Sequence, residues 1–324
     1  MADDDGLVAS FRLDGDGRGI PLTWDEIRAW TKASGTLWVH LHRGAEAAQS
    51  WLREDSGLDA LVVESLLAES TRPRCAPIGE GVMLFLRGVN LNPGADPEDM
   101  VSIRLWIEPT RIISVRTRRL LSVDDLRAAL LRGDGPRTTG EFVTRLADHL
   151  VSRVSGIISD VDDEVDRLQD EVLVSNERVL RAELTRLRRE IIALRRYLAP
   201  QRDALSRLGN LKPAWLDDMD SLHIREEADR VVRLVEDLDA ARERAAVTQE
   251  ELNNRLAEEM NQRMYVLSVV AAIFLPLGFL TGLFGINVGG IPLAEDPFGF
   301  VEIVLLLLLI TALQVGLFRW RRWL

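Results

Sequence analysis

Apolar residues recur along this chain in three successive rhythms, and each predicts a different kind of element. The first is short. WVHLH at Trp38–His42, VMLFLRGV at Val82–Val89, VSIRLWIE at Val101–Glu108 and RIISVRT at Arg111–Thr117 are brief β-branched and aromatic runs, the pattern of strands. Ala45–Ser56 and Leu58–Ser70 carry apolar residues at three-four spacing, which predicts helices. Pro93 and Pro97 mark a turn-rich connector between strands. Residues 1–138 therefore read as an α/β domain.

After Gly140 the period lengthens to that of long helices. One stripe runs Phe142, Leu146, Leu150, Val154, Ile157, Val161, Val165, Leu168 and Val172. A second runs Leu180, Leu184, Leu187, Ile191, Leu194, Leu198, Leu205 and Leu208. Ser175-Asn176 reads as the turn between them, and Gly209, Asn210 and Pro213 close the pair, so 139–212 is a long antiparallel hairpin. A third helix starts near Ser221 behind Asp217, Asp218 and Asp220, with no breaker before Pro276. Its stripe is Ile224, Ala228, Val231, Val235, Leu238, Ala245, Leu252 and Leu256. At ~1.5 Å per residue, Ser221 to Phe284 predicts a rod of roughly 95 Å. Residues 213–263 form its stalk.

The third rhythm is unbroken apolarity. Met264–Phe284 has no charge, and Phe298–Phe318 has only Glu302 near one end. About 20 apolar residues cross a ~30 Å hydrocarbon core as a helix, so 264–324 holds two spans. The loop between them lacks Lys and Arg but carries Glu295 and Asp296. Arg263 precedes the first span, and Arg319, Arg321 and Arg322 follow the second. The positive-inside rule then places both termini in the cytoplasm and the loop outside, with Trp320 and Trp323 at the interface.

Charge and composition narrow the function classes. Against 40 Lys and Arg stand 51 Asp and Glu, a net charge of −11, which argues against nucleic-acid binding. The single cysteine, Cys75, excludes an intrachain disulfide and a zinc-thiolate centre. The acidic N-terminus has no apolar core and does not read as a secretory signal. No phosphate loop or nucleophile arrangement stands out, so the expectation is no enzyme, no catalytic residue and no cofactor.

Two spans cannot enclose a polar path, so a conducting form needs several copies. The first span is the better lining helix: it contains Ser268, Gly278, Thr281 and Gly282, whereas the second is Leu-rich on every face. Gly278 and Gly282 have the small-xxx-small spacing of close helix contacts. Stepping back from Asn287 at near-helical intervals gives one candidate pore face of Gly278, Leu275, Ala271, Leu267 or Ser268, Met264 and Asn261. It is mostly apolar, which suits an ion that keeps much of its water and a gate that works by dewetting.

At Gly285-Ile286-Asn287, within LPLGFLTGLFGINVGGIP, the chain resembles the CorA metal-ion transporter superfamily, and most of all its zinc-transporting ZntB branch. The order of α/β domain, hairpin, stalk and two spans matches throughout, and Arg72-Pro73-Arg74 resembles a short family element. The resemblance implies a funnel-shaped homopentamer in the inner membrane, with partners limited to itself, lipid and the divalent cation it moves. It implies that Asn287 meets the hydrated cation at the outer mouth and that Gly285 permits the tight turn there. Ile286, where Met is usual, points to zinc rather than magnesium. A magnesium, cobalt or nickel channel is the alternative within transport; a non-conducting membrane receptor is the alternative outside it.

Three further groups invite a metal reading. Asp160, Asp162, Asp163, Glu164, Asp166, Asp170 and Glu171 crowd one stretch, although a solvated helix face is the simpler meaning. His40 and His42 share a strand face. Gln249, Asn253, Asn254 and Asn261 form a polar series on the stalk.

Overall fold

The computed structural model of the chain describes residues 5–172, 177–285, 292 and 297–321, of 177 and 178 the backbone only. It divides into two compact units, Met1–Gln249 and Glu250–Leu324.

In the first unit a seven-stranded sheet is built from β1 (Leu7–Leu13), β2 (Gly19–Pro21), β3 (Thr36–His42), β4 (Arg74–Ile78), β5 (Gly81–Gly88), β6 (Val101–Glu108) and β7 (Arg111–Arg116), in the order β2-β1-β3-β7-β6-β5-β4. The four sequence-predicted strands are its centre. β3 pairs with β7 in parallel, Val39 opposite Ile113, and every other pair is antiparallel. Short helices α1 (Trp24–Arg28), α2 (Glu46–Ser50) and α3 (Ala60–Leu67) cover one face. Their core joins Val62 and Leu66 to Leu37, Val39 and Leu41 of β3. The predicted helix Ala45–Ser56 splits: α2 passes into a π-turn over Trp51–Asp55, where Ser56 N–H reaches the Trp51 carbonyl at 2.8 Å.

The opposite sheet face is covered by α4 (Leu121–Arg132), α5 (Thr139–Glu171) and α6 (Glu177–Leu211). Trp38 meets Phe142 of α5 with ring centroids 4.8 Å apart, and Gln201 of α6 accepts from Arg87 N–H of β5 at 2.7 Å. Cover on both faces is why the central strands are apolar throughout rather than alternating. α5 begins on Thr138, whose side chain accepts from Glu141 N–H at 3.1 Å. Its buried stripe is the predicted one except that Ile158, not Ile157, is buried, which keeps the four-three spacing from Val154 to Val161. All eight residues of the predicted α6 stripe are buried. Arg167 of α5 bonds Glu183 of α6 at 2.9 Å, as antiparallel neighbours do. The predicted turn Ser175-Asn176 lies outside the described residues.

α7 runs from Asp218 to Phe284 through Pro276. Its first turn packs on α5 where Gly140 leaves room: a Cβ there would sit 2.1 Å from the Asp220 carboxylate and 2.9 Å from the Trp215 carbonyl oxygen. From Ile224 to Gln249 it belongs to the first unit, tied to α6 by Arg195–Asp239 at 2.6 Å and Arg188–Gln249 at 2.6 Å. The remainder of α7 and α8 (Gly299–Trp320) make up the second unit.

Candidate functional site

Both helices of the second unit contain an 18-residue window apolar enough to cross a membrane, with mean hydropathy 2.3 and 2.5, none of it buried. Apolar surface on this scale is not left facing water; hydrocarbon or other copies must cover it.

The partly buried positions show how the two helices face each other. On α7 they are Val269, Ile273, Pro276, Leu277, Leu280 and Phe284, and on α8 they include Ile303, Leu307, Ile310, Gln314 and Phe318. Each set recurs at three-four spacing and forms a single stripe. At 100° per residue the candidate pore face of α7 lies about half a turn from its stripe. Asn261, Met264, Leu267, Ala271, Leu275 and Gly278 are all exposed, Leu275 at 73%. A Cβ at Gly278 or Gly282 would enter open space, so packing among the described residues does not require either glycine. The Thr281 hydroxyl donates to the carbonyls of Leu277 and Gly278 at 3.0 and 3.1 Å, which satisfies it inside its own helix. Gly285 closes the helix, its N–H donating to the Thr281 carbonyl at 3.0 Å, and is exposed. Ile286, Asn287, Glu295 and Asp296 lie outside the described residues, as do Arg322 and Trp323.

The other candidate groups are engaged elsewhere. Of the acids on α5, Glu164 and Glu171 pair with Arg167 at 2.8 and 2.6 Å, while Asp162 and Asp166 both pair with Arg244 of α7. These pairs are partly exposed, each worth about 0–1 kcal/mol, and they engage four of the seven acids with arginines rather than with one another. His42 accepts from Gly44 N–H at 3.2 Å and its other ring nitrogen lies 3.0 Å from the Thr117 carbonyl. His40 is fully buried, with Nδ1 2.8 Å from the Ser114 hydroxyl. That hydroxyl also accepts from Trp38 Nε1–H at 2.8 Å and lies 3.3 Å from the Val39 carbonyl. The donors balance with the Nδ1–H tautomer, both ring N–H groups donating to Ser114 and Ser114 donating to Val39. Burial, reinforced by Arg116 and Arg127, pushes the His40 pKa down to about 3. Among the described residues no three of His, Cys, Asp and Glu converge to hold a metal ion.

Inspection of the sequence missed the facing stripes of α7 and α8, because a uniformly apolar helix carries no amphipathic signal. The exposure of each position supplies what hydropathy lacks. It also missed the clamp on the β6–β7 turn. There Arg111 holds both oxygens of Glu108 at 2.8 Å and donates to the Ser56 carbonyl at 2.7 Å, while Trp106 Nε1–H donates to Glu108 at 2.8 Å.

Comparison with known proteins adds to this geometry. The profile of the family described as CorA-like Mg2+ transporter protein matches residues 33–320. The divalent cation transporter CmaX of Pseudomonas aeruginosa is 43% identical over 99% of this chain and 98% of its own length. The zinc transport protein ZntB of Pectobacterium atrosepticum is 36% identical over 94% of this chain and 92% of its own. The solved structure of full-length CmaX superposes with a TM-score of 0.86 at 41% identity, covering 99% of both chains.

Proposed function

This chain belongs to the family of CorA-like Mg2+ transporter proteins, and from that premise we propose that it carries zinc, among divalent cations, through a pore lined by α7 in a homopentamer. As a member of that family it is a metal-ion transporter of the membrane. The observation that most supports the pore is the face of α7 opposite α8, where the six lining candidates are all exposed. Among the described residues of one chain nothing covers that face, and a ring of copies directs it to a common axis. α8, Leu-rich and packed on the other side of α7, is then the lipid-facing helix. Both termini lie in the cytoplasm of this inner-membrane protein, with the arginines after α8 on that side.

At the outer mouth, five Asn287 side-chain oxygens form a neutral ring that takes the place of outer-shell water around a hydrated cation. Glu295 and Asp296 add about ten negative charges beside it and raise the local cation concentration. Oxygen donors of this kind do not select zinc over magnesium. The zinc assignment rests on Ile286 and on the likeness to zinc transport protein ZntB.

Uptake into proteoliposomes loaded with a zinc- or magnesium-sensitive dye, with and without a pH gradient, tests this reading. Zinc flux is the expected result. Magnesium flux driven by voltage alone would assign the chain to the magnesium channels, and no flux of either ion would remove the pore. Asn287→Ala should lower flux and leave the assembly intact; unchanged flux would take Asn287 out of the mouth.

A further inference from the structure

On one flank of α7 a cavity of about 360 Å³ is lined by Tyr265, Ser268, Val269 and Ala272, with Phe318 of α8 as its fifth wall. The four α7 residues stand at positions i, i+3, i+4 and i+7. That diamond is the hole of knobs-into-holes packing, which takes one side chain from a facing helix. Ser268 and Ala272 are small and exposed and keep the slot open, while Tyr265 and Phe318 give it aromatic walls. No lining residue carries a charge.

At 100° per residue the hole is centred about a quarter turn from the candidate pore face. Phe274 stands about as far round on the other side, 66% exposed, and is the largest apolar side chain of that flank. Copies in a ring share one orientation about the axis, so each turns its hole to one neighbour and its Phe274 to the other. A head-to-tail contact of this kind closes into a ring. The Phe274 Cα stands about 3 Å above that of Ala272 along the helix, and helical side chains slant towards the N-terminus, which lowers the phenyl ring to the level of Ala272. Between Tyr265 and Phe318 it gains offset or edge-to-face contacts, whereas Val270 on the same flank is too small to fill the slot. Charge agrees with shape. Glu258, two turns below Tyr265, lies on the hole flank, and Arg263, three turns below Phe274, lies on the other. Both are exposed. Arg263 meets Glu259 of its own chain at 3.1 Å, and a guanidinium has donors for a second carboxylate. Parallel packed helices pair opposite charges on the flanks of their contact in this way.

We propose that this hole seats Phe274 of the neighbouring copy, with Glu258 of the copy that bears the hole beside Arg263 of the copy that fills it. Each hole is then completed by its neighbour, and α8, through Phe318, helps to hold the ring of α7 helices together. The proposal rests on the ring assigned above and is independent of which cation passes.

The test places Ala272→Cys and Phe274→Cys together in the full-length chain and oxidises isolated membranes with copper phenanthroline. The two positions lie about 160° apart round one helix and cannot bridge within a chain. A ladder of cross-linked species up to the full assembly should appear on a denaturing gel. Each single-cysteine variant should run as monomer, since the native Cys75 is buried. Ala272→Phe, which fills the hole from within, should lose the assembled species in size exclusion with light scattering. Adding Phe274→Ala to it should restore that species, because the two rings compete for one hole only across the contact. If Ala272→Phe is not recovered from the membrane, the cysteine pair decides. Cross-linking that stops at dimers, or Ala272→Phe that assembles like wild type, would overturn the contact. No cross-linking in a protein of unchanged assembled mass would also overturn it and give the slot to a lipid chain, leaving the ring standing. A monomeric mass for the wild type would overturn the ring as well.

Discussion

Leu275 and Leu309 offer one chemical change at two positions that the proposed assembly treats oppositely. Both lie well inside an apolar helix, 73% and 60% exposed in the single chain. Leu275 is on the face of α7 opposite α8, and Leu309 is on the side of α8 turned away from α7. Replacing Leu by Asp inside a membrane helix moves the residue from about −0.5 to about +3 kcal/mol on the insertion scale. A carboxylate that faces lipid therefore costs roughly 3–4 kcal/mol, between 10² and 10³ in the equilibrium. At Leu309 nothing offsets that cost. At Leu275 in a pentamer, five carboxylates meet along a hydrated axis, and a divalent cation offsets their mutual repulsion. The expected outcome is that Leu309→Asp loses most of its membrane-fraction yield. Leu275→Asp should be recovered as an intact assembly whose cation uptake differs from wild type and changes with pH. Yield in the membrane fraction, mass by size exclusion with light scattering, and dye-reported uptake measure these three quantities. Equal loss of both variants, or tolerance of Leu309→Asp alone, would refute the orientation assigned to α7.

Three predictions concern the first unit. His40 stays neutral down to about pH 3 when folded, whereas the unfolded chain takes up a proton near pH 6.5. Stability is thus fully present above pH 6.5 and falls on acidification by ~1.4 kcal/mol per pH unit until the folded pKa is reached. Denaturant midpoints from pH 7 to 4.5 should show a shallower slope in His40→Leu, and identical slopes would exclude His40 as the source. At Gly81 a Cβ would sit 2.2 Å from the Trp106 ring, and that ring is pinned by Glu108. Gly81→Ala should therefore cost about 1–3 kcal/mol and lower Tm by several degrees; an unchanged Tm would show that the ring moves freely. Burial pushes the Glu108 carboxyl up, but the hydrogen bonds from Arg111 and Trp106 outweigh it and hold the pKa below the usual value. That contribution is present above the unfolded pKa and lost as pH falls through the folded one. Arg111→Met alone should cost about 2–3 kcal/mol, and adding Glu108→Gln should recover part of it. Additive losses in a double-mutant cycle would contradict the clamp.

The periodic parts of this molecule were readable because their signals are local. The hairpin stripes and the unbroken helix past Ser221 each repeat one spacing over many turns, so a shift such as Ile157 to Ile158 changes little, and the two spans are marked by sustained apolarity alone. β1, β2 and β4 escaped because they are edge or near-edge strands whose apolar content is diluted by Arg, Gly and Pro. α4 escaped because its burial is supplied by the sheet and by α5 rather than by its own pattern. At the end of the π-turn after α2, the Ser56 carbonyl accepts from Arg111, 55 residues away, a contact no local pattern can announce. The candidate site divides in the same way. The family resemblance marks Gly285-Ile286-Asn287, and helical spacing marks a series from Asn261 to Gly278. Which side of α7 meets α8 could not be read from them, since Leu, Ile and Val look alike to any hydropathy pattern. Only the packing of the two helices separates a covered stripe, a free face and a slot between them, because exposure depends on neighbours brought together by folding and not on the residue itself.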